Sequence, residues 1–367
     1  MKLIDRYILK QFLTTFIFVV LMLLAVITVI DLTEKTDKYA KAGLNWIQIL
    51  GYYADFLPWI AGLVTPITVF IAVVYITARL AGRTEIIAIL SSGVSFRRLL
   101  VPYFAGAIII ASISFWLNGW VIPNSNKTRL AFEIAYLNKN SNPNLRNIHL
   151  QISPSTFIYI QSYNSSTDKG YQFTMERFEG NKLMEKLTAS RIEWDTAKSK
   201  WTLREWKLKR IELVFEKVKS DSVEGEKITS GLELDTTLVI HPKEFKNDYR
   251  KFDGLTITEL KDYINTLRFR GSAGIETYEV ELYTRFASPF SIFILTFMGA
   301  IVSSRKSRGG TGYQIAIGFA LSFIFIMFFI LFRSFAESGA LPPMISVWIP
   351  SIIFGVISLF MYKYVPR

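Results

Sequence analysis

The chain has 367 residues, of which 51% are hydrophobic and only 20% charged, and its mean hydropathy is +0.30. At this length that implies more apolar surface than a water-soluble fold can cover, so the chain reads as a membrane protein. Having no cysteine excludes disulfides, thiolate metal sites and cysteine nucleophiles, and two histidines, His149 and His241, supply poorly any histidine metal cluster or serine–histidine relay. The net charge of +12 reads as basic residues flanking spans and facing anionic head groups, not as a nucleic-acid surface.

An α-helical span needs about 20 mostly apolar residues. Six segments meet that length: residues 12–30, 56–78, 99–122, 286–302, 313–332 and 341–362. Lys2, Arg6 and Lys10 precede the first, as in a signal peptide, but its apolar run is too long for a typical signal and no small-residue cleavage site follows closely, so it reads as a retained span. Arg79, Arg83, Arg97 and Arg98 lie between the second and third segments, Arg305, Lys306 and Arg308 between the fourth and fifth, and Lys363 and Arg367 after the sixth. With six spans every one of these clusters falls on one side, which the positive-inside rule makes cytoplasmic, together with both termini.

The expected fold class is a membrane α-helical protein with an inserted all-β domain. Residues 1–122 hold three spans, 123–254 the β domain on the non-cytoplasmic side, 255–274 an amphipathic connecting helix, and 275–367 three more spans. In the insert, residues 148–152 and 156–160 alternate apolar and polar about a Ser153-Pro154-Ser155 turn. Tyr171, Phe173, Met175 and Phe178 mark a third strand, 183–194 a fourth, Trp201, Leu203 and Trp206 a fifth, and Leu232 to Ile240 a late one. Strands at such spacing predict a sandwich or a roll. Its apolar face is either an ordinary filled core or a groove for something greasy, with Phe157, Tyr159 and Phe173 among the candidates to line it. From Thr256 the period becomes helical, and Thr256 with Glu259 matches a capping box.

No catalytic motif is present. There is no P-loop, no HExxH and no Gly-x-Ser-x-Gly, and the glycine-rich stretch 308–312 lacks the P-loop lysine. No carboxylate lies deep in a predicted span, against a proton-relay transporter. The sharpest signal is the segment 79–98 between spans two and three. There Ile86, Ile87, Ile89 and Leu90 form an apolar face beside Arg83, Glu85 and Arg97. This is either an interfacial helix tying two spans together or a coupling helix for a groove on a cytoplasmic partner.

Leu3-Ile4-Asp5-Arg6-Tyr7-Ile8, Arg83-Thr84-Glu85 followed by Ser92-Gly93, and the three-plus-three layout resemble the LptF/LptG permeases of lipopolysaccharide export. The spacing Ala189…Trp194…Trp201 is similar to that of β-jellyroll repeats in the export bridge. The resemblance implies a non-catalytic permease subunit of an ABC transporter in the bacterial inner membrane. It would pair with a second permease of the family and a cytoplasmic ATPase dimer, which uses the ATP; the chain itself needs no cofactor and no metal. It would extract lipopolysaccharide and pass it to a periplasmic β-jellyroll bridge. On that reading Glu85 leads ATPase coupling with Arg83 and Arg97 in support, while Lys35, Lys38 and Lys41 are candidates for anionic glycolipid groups. The competing reading is a non-transport scaffold whose β domain binds envelope proteins.

Overall fold

The computed structural model describes residues 3–137, 145–164, 167–196, 198–214, 223–238, 240–242, 251–270, 274–304 and 310–363. The basic residues Lys2, Arg305, Lys306, Arg308 and Arg367, and residues 271–273 of the expected connecting helix, lie outside them. The described chain divides into two compact units. One comprises residues 1–137, 252–260 and 276–367; the other comprises 138–251 and 261–275.

The first unit is a bundle of long helices. α1 (Leu3–Ala42), α2 (Trp46–Gly82), α7 (Ile275–Ser303), α8 (Gly310–Glu337) and α9 (Pro343–Tyr362) are continuous. The third crossing is composite: α4 (Phe96–Trp116), a π-helical turn Leu117–Val121, α5 (Ile122–Phe132) and a second π-helical turn Glu133–Leu137. Pro123, at the start of α5, has no N–H to give, which favours a register slip just before it. Six of these helices are long and apolar enough to cross a membrane. They outlast the apolar runs: α1 has 40 residues, so at about 1.5 Å each it spans about 60 Å, twice a hydrocarbon core of about 30 Å. Helix three likewise passes residue 122, where hydropathy falls, and continues to Leu137.

Ile8 and Phe12 of α1, Val69, Val73 and Ile76 of α2, Leu99, Tyr103 and Ala107 of α4, and Ile292 and Ala300 of α7 share one buried cluster. Gly106 lets α1 and α4 approach, because a Cβ there would sit 2.4 Å from Phe12 Cδ1. The short α3 (Glu85–Ser91) also joins this core through Ile86.

The second unit carries one antiparallel sheet of six strands: β1 (Leu145–Ser153), β2 (Thr156–Asn164), β3 (Lys169–Glu179), β4 (Lys182–Asp195), β5 (Lys200–Val214) and β6 (Val223–Thr236), in the order β1-β2-β3-β4-β5-β6. Among the described residues it is therefore a single meander, a roll and not a two-sheet sandwich. Ile158, Ile160, Tyr163, Phe173, Leu187, Ile192, Trp201 and Leu203 build its apolar face. Trp201 Nε1 donates to the Ile240 carbonyl at 2.8 Å, drawing the chain beyond β6 onto that face.

One residue in every strand drops out of the ladder at the same level. These are Asn147, Gln161, Gln172, Ser190, Glu205 and Leu232, each skipped between regularly paired neighbours. All six are exposed. Asn147, Gln172 and Glu205, on alternate strands, have φ of 53°, 51° and 52°. Side-chain parity flips there, so Ile160 and Tyr163 share a face although three residues apart. The pairing register is the same on both sides of these positions, so no strand gains a residue on its neighbour; the register shifts lie instead at Gln151/Ser153 and Arg177/Phe178. Aligned across six strands, the skipped positions form a crease. Gly170 sits beside it, where a Cβ would come within 2.6 Å of Ile192 Cγ2.

α6 (Ile257–Phe269) opens with the expected capping box: Thr256 N–H donates to Glu259 Oε2 at 2.8 Å and Glu259 N–H to Thr256 Oγ1 at 3.4 Å. The Thr256 amide, and then Lys127, hold the Glu259 carboxyl below its ordinary pKa.

Candidate functional site

The candidate residues fall in three places. At one end of the bundle, Arg83 closes α2 and Thr84, at φ 62°, turns the chain left-handed into α3; Gly93, at φ 85°, turns it out again. Of the four apolar residues expected on one face, Ile86 is buried at 2%, and Ile89 and Leu90 pack against the bundle core. Only Ile87 faces out, 52% exposed, beside exposed Ala88 and Ser91. The apolar stripe therefore anchors α3 to its own bundle, and the surface offered outward is Glu85, Ile87, Ala88 and Ser91. Glu85 Oε1 lies 3.9 Å from Arg83 NH1, with the side chains 34% and 57% exposed. A pair so long and so wet contributes little by itself, which leaves the carboxylate available. Arg97 has a different partner: its Nε donates to the Tyr362 hydroxyl at 3.3 Å. Its neighbour Arg98 pairs with buried Asp5 at 2.5 Å, joining α4 to α1.

At the other end of α1, Lys35 is consumed internally. Its Nζ pairs with Asp31 at 2.7 Å, donates to the Tyr52 hydroxyl at 2.7 Å and lies over the Tyr52 and Phe56 rings. Tyr52 in turn donates to Glu133, which pairs with Arg129 at 3.0 Å, and Arg129, 2% exposed, stacks on Trp59. Lys38 and Lys41 are exposed. Sequence reasoning passed over Arg129 and Glu133. Their i,i+4 spacing in a segment expected to be non-helical was the available signal.

On the sheet, the three aromatic candidates are not together. Phe173 is 1% exposed within the apolar cluster. Phe157 and Tyr159 alternate with buried Ile158 and Ile160 and so lie on the opposite face. They border an open groove with His149, Gln151, Thr174, Glu176, Lys186 and Arg270. His149 stacks on Tyr159 at 4.7 Å, and Lys186 pairs with Glu176 at 2.7 Å.

Six spanning helices, split three and three by a polar insert whose sheet has one apolar and one charged face, define a multi-pass membrane protein with an inserted β domain. A profile of the lipopolysaccharide export system permeases LptF/LptG matches residues 6–364, and the chain belongs to that family. It is similar to the lipopolysaccharide export system permease protein LptG of Escherichia coli, at 20% identity over 365 residues, covering 98% of this chain and 97% of that protein. It is also similar to the LptG protein of Haemophilus influenzae, at 19% identity over 356 residues and 96% of each chain.

Proposed function

We propose that this chain is a membrane permease subunit of an ABC transporter that takes lipopolysaccharide from the inner membrane and hands it to a periplasmic β-jellyroll bridge. The observation that carries the reading is the family match running almost end to end over a bundle interrupted by a creased, one-face-apolar sheet. The scaffold alternative has no comparable support. The relatives named above support the G-type place beside a second permease of the family. ATP is used by a separate cytoplasmic ATPase dimer, and the chain is not an enzyme.

In this reading both termini and α3 are cytoplasmic and the sheet is periplasmic. Single cysteines in this cysteine-free chain test it. With an impermeant thiol reagent on outer-membrane-permeabilised cells, Thr167→Cys and Ser338→Cys are expected to label and Ser91→Cys to stay unlabelled. Labelling at residue 91 refutes the orientation.

Lys38 and Lys41, exposed on the outer end of α1, are assigned to the glycolipid's anionic groups, with Lys35 holding the α1–α2 pair behind them. The face bearing Phe173 suits acyl chains, whereas the groove beside Phe157 and Tyr159 also carries the charged Glu176, Lys186 and Arg270 in its lining. A photocrosslinker at Met175, half-buried on the apolar face, is expected to give an ATP-dependent lipopolysaccharide adduct, and one at exposed Lys207 none. An adduct independent of ATP, or none at Met175, overturns the delivery path. The export reading as a whole is tested by co-purification with the ATPase and its loss of lipid release when the permease is absent.

A further inference from the structure

α7 carries Glu281 and Arg285 one turn apart, Arg285 buried and Glu281 partly buried, their side chains 4% and 15% exposed. Arg285 makes three separate contacts. Its Nε donates to Glu281 at 3.1 Å, one terminal nitrogen to the Leu255 carbonyl at 2.5 Å, and the other to the Phe252 carbonyl at 3.0 Å. Glu281 also accepts from Arg333 of α8 at 3.2 Å, and Arg333 donates to Glu337 at 2.7 Å. From α5, Asn126 donates to the Asp253 carbonyl at 3.0 Å, and Lys127 pairs with Glu259 at 2.9 Å. The ring of Tyr278, also on α7, meets Phe252 edge-on at 6.0 Å.

These contacts converge on residues 252–256, the short piece of chain through which the polypeptide leaves the insert and enters α6. A 3-10 turn, Lys251–Gly254, begins it, and the carbonyls of residues 252, 253 and 255 are all taken by side chains of α5 and α7. Only a planar fork reaches one carboxylate and two carbonyls at once, so lysine is no substitute for Arg285. Burying one arginine and partly burying a glutamate and a second arginine is a poor way to gain stability, since apolar packing does it with less desolvation. Its use is to fix one arrangement.

We propose that Arg285 is a positioning residue for lipid export. It locks the chain entering α6 to α7 and, through Glu281 and Arg333, to α8, so that these elements move as one body when the bundle changes shape. The rigid joint stands on the geometry alone; only its consequence for lipid delivery rests on the export reading.

The test uses the complete permease–ATPase complex in lipid nanodiscs. Spin labels at Thr258→Cys and Ser338→Cys, both exposed positions of the bundle unit, report the joint directly. The expected distance distribution is narrow and keeps its width with and without ATP and vanadate. Arg285→Lys, which keeps the charge facing Glu281, is expected to broaden it about twofold or more. It should leave ATP hydrolysis within about twofold while lowering the ATP-dependent adduct at Met175 about fivefold, a coupling loss of ordinary size. In a Lys127→Cys, Glu259→Cys background, bridging those residues with a short bismaleimide should restore the adduct to Arg285→Lys, which a merely damaged fold would not allow. An unchanged distribution in Arg285→Lys overturns the proposal. So does an adduct lost together with hydrolysis and not restored by the bridge. If the distribution broadens but the unaltered protein gives no lipid adduct at all, the joint stands and the export reading falls.

Discussion

Glu85→Lys is expected to reduce recovery of the ATPase with the permease about tenfold or more, at equal membrane levels. In the proposed assembly Glu85 would face an arginine of the ATPase; a partly buried, charge-assisted contact of that kind is worth about 1.5–3 kcal/mol, and each 1.4 kcal/mol or so is a factor of about ten. Glu85→Ala removes the contact, and lysine adds repulsion, so the lysine variant should be the worse. The weak pair with Arg83, at 3.9 Å, does not compete seriously for the carboxylate. The geometry of α3 adds a sharper comparison. Ile87→Asp alters an outward side chain and should lose the ATPase while keeping the permease in the membrane, as expected at the centre of a docking surface. Ile86→Asp places a charge in the bundle core and should lower the amount of permease itself. Pull-down of the ATPase, normalised to membrane permease, reads all of these. Unchanged recovery and unchanged lipid export in both Glu85→Lys and Ile87→Asp would sink the docking assignment.

Trp201→Ala is expected to unfold the insert. Trp201 is 1% exposed, packs edge-on against Trp194 at 5.2 Å and pins the Ile240 carbonyl. Truncating such a side chain costs about 3–5 kcal/mol, and the orphaned carbonyl adds about 1–3 kcal/mol. That rivals the whole stability of a typical domain, about 5–15 kcal/mol. Limited trypsin digestion of permease in membranes should cut the insert of Trp201→Ala rapidly, while Leu232→Ala, altered at a position 81% exposed, behaves as the unaltered protein. Equal half-lives for Trp201→Ala and the unaltered chain would show that Trp201 is not the keystone of the apolar face.

The six crossings and most strands were legible because each leaves a periodic or continuous trace in the residues. The turn at Ser153-Pro154-Ser155 falls between β1 and β2, and the third and fourth expected strands fall within β3 and β4. Helix ends were not legible from hydropathy, which registers what meets lipid. α1 simply continues through Asp31, Lys35 and Lys38 as a polar helix. Amphipathicity of α3 was visible, but not which side its neighbours occupy, so the sequence left open whether the apolar stripe ties two spans together or faces a partner; the stripe is the attached side. The i,i+4 pair of Lys35 with Asp31 was readable in the sequence, but its other partner, Tyr52, and Glu133 behind it, are brought in only by tertiary structure. Phe157, Tyr159 and Phe173 read as one inward set because aromatic side chains were taken to mark the inward face of β2, whereas its aliphatic alternates Ile158 and Ile160 are the buried ones and Phe173 lies opposite Ile160. The ion pairs Glu281–Arg285 and Arg333–Glu337 were each readable at i,i+4, but nothing in sequence joined the two.

The crease makes the sheet a register of length as well as of composition. Each strand spends one residue crossing the same line, so the halves of all six stay in phase only while every strand keeps that residue. A substitution at Gln172 or Glu205 changes one exposed side chain and a local φ preference. A deletion there is different in kind: it would turn Gly170 or Leu203, and everything beyond them on that strand, to the wrong side of neighbours that had not moved. The insert can therefore drift widely in residue identity while remaining intolerant of single-residue changes in strand length, unless such changes arrive in several strands together.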